Sequence, residues 1–161
     1  MKQRRLFILL LLGTVILQAG ASAGCDQIKS AADTAKNTVT SMVDKVNTFE
    51  KDQEANALNS AVKEFYNSVV SGSINATTRG DRITASLPDQ DADQEERTNA
   101  AKNLTILSVL EDQGMKDRYP ESTISEFVCV NGEIKYKDSV TDKEFTAVPL
   151  SYETPLSTII K

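Results

Sequence analysis

The sequence predicts an α+β protein: N-terminal helical segments, then a helix packed on a small antiparallel β-meander of three or four strands. Three observations carry that expectation. No proline or glycine interrupts residues 26–71. A wide apolar face runs through residues 91–113 and stops at Gly114. Asn131-Gly132 separates two short stretches of strand-forming residues, the strongest local mark of a two-residue hairpin. Helices followed by strands suit segregated α+β layers rather than alternating parallel units.

Residues 1–24 carry the three parts of an export signal. Lys2, Arg4 and Arg5 form a basic start, Leu6 to Leu17 an apolar core, and Ala19 to Gly24 a run of small residues. The apolar core is too short to span a bilayer as a stable helix. Ser22-Ala23-Gly24-Cys25 resembles the lipobox of bacterial lipoproteins. The resemblance implies a cut before Cys25, a diacylglycerol on its thiol and acylation of its new amino group. Asp26 follows, which resembles the inner-membrane retention signal of enteric lipoproteins, the outer membrane being the other destination. Ala21-Ser22-Ala23 offers a second cut, an Ala-x-Ala site that would release a soluble chain beginning at Gly24. Cys25 and Cys129 are the only cysteines, and an even count in an exported protein suggests a disulfide. Lipid and disulfide are mutually exclusive fates for Cys25.

In the helical stretch, Ile28, Ala32, Ala35, Val39, Met42, Val46 and Phe49 are spaced alternately by four and three, a seam of period 3.5. It restarts at Leu58, Val62, Phe65 and Val69 after a step that loses the register. The polar run Glu50-Lys51-Asp52-Gln53-Glu54 therefore marks a bend, a break into two helices or a shift of face. Residues 53–72 are expected to fold onto their own domain. For residues 26–50 an oligomerising stalk and a domain-packed helix both remain open, and Thr38, Thr40 and Thr48 weaken the helix there. Gly72 is the expected stop.

Beyond it lies a loop with a short strand at residues 83–87. A helix over 91–113 follows, its start crowded with carboxylates that suit the positive end of the dipole. Strands are expected at 124–130 and 133–137, and a third at about 145–152. The division is 1–24 signal, 25–72 helical stalk or helix pair, 73–161 α+β domain.

Composition narrows the function. The chain has no histidine, which excludes Ser-His-Asp and Cys-His catalysis and histidine metal sites. Net charge is −5; removing Lys2, Arg4 and Arg5, with no acid among residues 1–24, leaves −8, a poor match to a phosphate backbone. Asp89 to Glu95 imitates the start of an EF-hand loop, but Gln94 and Ala100 stand where glycine and glutamate belong. Arg79-Gly80-Asp81 and the sequons at Asn75 and Asn103 carry little information. Glu111 and Asp112 sit at a helix C-terminus beside Lys116 and Arg118, a pairing of solvated charges.

The expected function is a non-enzymatic cell-envelope lipoprotein, anchored at an acylated Cys25 with its α+β domain offered to an envelope protein. It needs no cofactor, metal or nucleic acid, and residues 28–49 give it a route to homo-oligomers. The other reading is a soluble periplasmic or secreted inhibitor- or effector-like protein closed by a Cys25–Cys129 disulfide.

Overall fold

The structure, a computed structural model, describes residues 25–74, 83, 87–137 and 145–161, with side chains from residue 32 onward. It is mostly helical, with one two-stranded antiparallel hairpin packed against the helices. Two compact units divide at Val43/Asp44.

Helix α1 runs Cys25–Ser71 without interruption. The polar run at 50–54 is therefore a shift of face, with no break. Within the second unit Leu58, Val62, Phe65 and Val69 are all buried, as expected of the second seam, and so is Ala55. Phe49 and Leu58 are nine residues apart, two and a half turns at about 3.6 residues per turn, so they point to opposite sides of α1. The threonines do not disrupt it. The Thr38 and Thr40 hydroxyls donate to the Thr34 and Lys36 carbonyls at 2.8 and 2.9 Å, the back-bond that lets a hydroxyl sit inside a helix. The end is a Schellman motif at Gly72 (φ 70°): its N–H reaches the Val69 carbonyl and that of Ser73 the Ser68 carbonyl.

The helix expected over 91–113 is two helices, α2 Gln94–Asn103 and α3 Ile106–Asp112. Leu104 and Thr105 between them are extended. The cause lies about fifty residues away, in the C-terminal segment. Leu156 N–H donates to the Leu104 carbonyl at 2.8 Å, and Ile106 and Leu107 N–H donate to the Thr154 and Tyr152 carbonyls at 3.0 and 3.1 Å. Groups that a continuous helix would pair internally are taken by the tail, and Thr105 bridges Pro155.

Strand β1 spans Phe127–Val130 and β2 Glu133–Tyr136, paired with Val130 opposite Glu133 and Cys129 opposite Ile134. The turn is the expected type I′: Asn131 and Gly132 have φ of 51° and 75°. The first strand is shorter than expected. Residues 121–124 instead form a short helix, α4 Glu121–Ile124, with Pro120 at its N-cap. Thr123 and Ile124 N–H both return to the Pro120 carbonyl, so Ile124 is buried from a helical turn.

The third strand is absent among the described residues, leaving two strands in place of three or four. Residues 145–152 touch β1 through a single bridge, Val128 to Pro149, and one bond from Leu150 N–H to the Phe127 carbonyl at 2.9 Å. Pro149 has no N–H to extend a ladder. The short strand expected at 83–87 falls mainly outside the described residues, although Ile83 is buried.

The core of the second unit joins α1 to Leu104, Ile106 and Leu110, to Phe127 and Ile134 of the hairpin, and to Leu150, Leu156 and Ile159 of the tail.

Candidate functional site

Cys25 lies in the α1 backbone, and its side chain is outside the described residues, as are residues 1–24, Asn75 and Arg79-Gly80-Asp81. Cys129 is on β1, partly buried, with a free thiol that donates to the Thr158 carbonyl at 3.3 Å. Its environment is that of a small hydrophobe with one weak donor satisfied.

The acidic run before α2 has a local task. Asp93 is the N-cap, and its carboxylate accepts the Glu96 N–H at 2.8 Å, with Glu95 and Glu96 in the first turn. Among the described residues no group of three or more His, Cys, Asp or Glu is placed to hold a metal ion. At the end of α3, Lys116 pairs with Glu111 at 3.4 Å. Both are partly exposed, so the pair adds little to stability. Asn103 is exposed at the end of α2.

Two side chains that sequence reasoning passed over, Asn59 and Tyr119, organise the second unit. Asn59 on α1 uses its amide as a strand would. Its Nδ2 donates to the Ile134 carbonyl and its Oδ1 accepts the Ile134 N–H, both at 2.8 Å. The Tyr119 hydroxyl donates to the Glu54 carbonyl at 3.1 Å, while the Tyr119 carbonyl accepts the Tyr152 hydroxyl at 2.9 Å. Burial raises the Tyr119 pKa above the usual 10.0; the Arg118 guanidinium opposes this and Glu54 adds to it. Lys51 meets Glu126 at 3.4 Å and lies 5.9 Å from the centre of the Tyr136 ring. An asparagine and a tyrosine amid polar sequence carry no periodic signal, and only their partners reveal them.

Beside Asn59 an open cleft of about 300 Å³ runs between α1 and β2, lined by Asp52, Asn56, Glu133, Lys135 and Tyr136 among others. Its charges are mixed. No described helix is long and apolar enough to cross a membrane.

The described surface also carries large apolar side chains. In the first unit Val39, Met42 and Val43 are exposed, Met42 by 58 %. In the second, Val46 and Phe49 are exposed, Phe49 by 62 %.

No family model, curated protein or solved structure matches this chain. Function therefore rests on the chemistry of its own residues.

Proposed function

We propose that the chain is a non-enzymatic cell-envelope lipoprotein, anchored by acylation of Cys25 and presenting its helix-and-hairpin domain to another envelope protein. The observation that carries this reading is a cysteine directly behind a basic, then apolar, then small-residue leader, in the sequence Ser22-Ala23-Gly24-Cys25. Acylation of Cys25 would leave Cys129 a lone thiol. Several acyl chains, each buried methylene contributing about 0.8 kcal/mol, would make the anchoring stable. Asp26 favours the inner membrane within this reading.

The competing reading, a soluble exported protein closed by Cys25–Cys129, is favoured by the pair of cysteines alone. Intact mass of the protein from its native host, taken with and without reductant, separates the two. A mass of residues 25–161 plus acylated glyceryl is expected. A mass beginning at Gly24, two hydrogens short until reduced, would sink the anchor and establish the disulfide.

A further inference from the structure

On α1, Val39, Met42, Val43, Val46 and Phe49 are exposed, and the first-half seam to which four of them belong has a heptad frame. Ala32, Val39 and Val46 take the a positions; Ile28, Ala35, Met42 and Phe49 take d. The outward b, c and f positions, nine residues from Asp33 to Lys51, are polar without exception. An apolar seam with polar outward positions, flanked by Ala31 and Val43 at g and e, is the pattern of a coiled-coil strand. The chain's own core cannot cover this seam at its C-terminal end, because Phe49 points away from the side on which Leu58, Val62 and Phe65 are buried.

The charges choose among occupants. A helix lying on a lipid surface carries an excess of Lys and Arg on its polar face. Residues 26–52 hold four lysines against five carboxylates, the wrong sign for anionic headgroups. A second copy fits better. In a parallel pair the g residue faces the e residue five positions on in the partner. Lys45 then meets Glu50 of the second copy, twice by symmetry, and the other facing positions, Ala31 with Lys36 and Thr38 with Val43, bring no like charges together. Valine at a favours two strands. Parallel alignment also sets Ile28 against Ile28, whereas the antiparallel alignment that pairs Val39 with Met42 sets Ile28 against Gln53.

We infer that residues 28–49 form a parallel two-stranded coiled coil with a second copy of this chain. The parallel direction agrees with, and deepens, the anchored reading, since two copies tethered at Cys25 share one membrane. The pairing itself does not depend on the anchor. A seam with alanine at two of its layers is weak in solution, and confinement to one membrane raises its effective concentration.

Cysteine cross-linking of the full exported chain tests this, in a Cys129→Ser background and with Cys25 either kept or changed to Ser. A disulfide needs Cα atoms about 4.4–6.8 Å apart, a spacing that facing core layers approach and outward positions do not. Met42→Cys is expected to give a covalent dimer on mild oxidation, and Ser41→Cys only a small fraction of it. Val46→Asp added to Met42→Cys should abolish the cross-link while leaving the thermal melt of the domain unchanged. Equal cross-linking at 41 and 42, no dimer at 42 in either background, or capture of a different host protein would each overturn the inference. Membrane fractionation of the same cells reads the anchor separately. Cross-linking without membrane retention would sink the lipoprotein reading and keep the dimer; retention without cross-linking would do the reverse.

Discussion

Asn59 shows how one side chain can close a sheet. In a two-residue hairpin Val130 and Glu133 face each other across hydrogen bonds, so the Ile134 N–H and C=O point away from β1. Left open, that edge invites pairing with another chain. The Asn59 amide satisfies both groups at once. Asn59→Ala is expected to cost about 1–3 kcal/mol, the usual loss when buried polar groups are left unpaired, as read by urea denaturation. Asn59→Asp, which sets a carboxylate oxygen against the Ile134 carbonyl, should cost at least as much. A silent Asn59→Ala would mean that α1 does not hold the hairpin edge. Tyr119 makes a pH prediction. Its pKa is raised in the folded chain by burial, so folding favours the neutral phenol. The stability this brings is fully present below pH 10.0 and is lost as pH rises from there through the folded value. Tyr119→Phe should cost about 1 kcal/mol at neutral pH for the lost bond to Glu54. It should also flatten the alkaline decline of the melting temperature, and an unchanged alkaline limb would assign that decline to other groups.

At the scale of elements, α1 has a buried face in the second unit and, on the side opposite Leu58, an exposed Phe49. Its second half is the wall of a core, with Phe65 and Leu58 almost wholly excluded from solvent. Phe65→Ala should cost about 3–5 kcal/mol, transfer and cavity together. Met42→Ser, on the exposed seam, should leave the domain's melting temperature unmoved in the monomer. The hairpin turn offers a second element-scale test. A Cβ on Gly132 would meet the Ile159 carbonyl at 3.0 Å, at a φ of 75°. Gly132→Ala therefore combines an unfavourable backbone with pressure on the tail, and more than about 1 kcal/mol of destabilisation is expected. Circular dichroism melts of the three variants give the comparison.

For the molecule as a whole, the C-terminal tail is the part that ties the second unit together. Leu150, Leu156 and Ile159 enter its core, and the backbone of 152–156 completes the pairing of Leu104, Ile106 and Leu107. Fully burying three such side chains is worth about 1.5–3 kcal/mol each, comparable with a whole domain's net stability of about 5–15 kcal/mol. A chain ending at residue 149 should lose its cooperative thermal transition. A sharp melt in that truncated chain would show that the tail only decorates a core formed without it.

Local signals were legible wherever the physics is local. Asn131-Gly132 gave the I′ turn because only residues tolerant of positive φ fit there, and Gly72 gave a helix end for the same reason. Leu58, Val62, Phe65 and Val69 gave a buried face because a helix repeats its side every three or four residues. The lipobox-like Cys25 and the first-half seam are likewise read from neighbours in the chain, which is why the candidate anchor and the candidate interface were visible at once. The rest depended on contacts between residues far apart in sequence. Periodicity carried α2 and α3 through Leu104 because nothing in residues 91–113 records that the tail will take its carbonyl. The strand expected at 145–152 is limited by Pro149 to one bridge, and Ile124 reached the core from a turn started by Pro120. Sequence by itself determined helix and turn, since each is fixed by the properties of a few adjacent residues. Tertiary structure alone decided where the helix breaks, how the sheet edge is closed and which side of α1 the core of the second unit covers, since each turns on which distant group supplies the missing hydrogen bond or apolar surface.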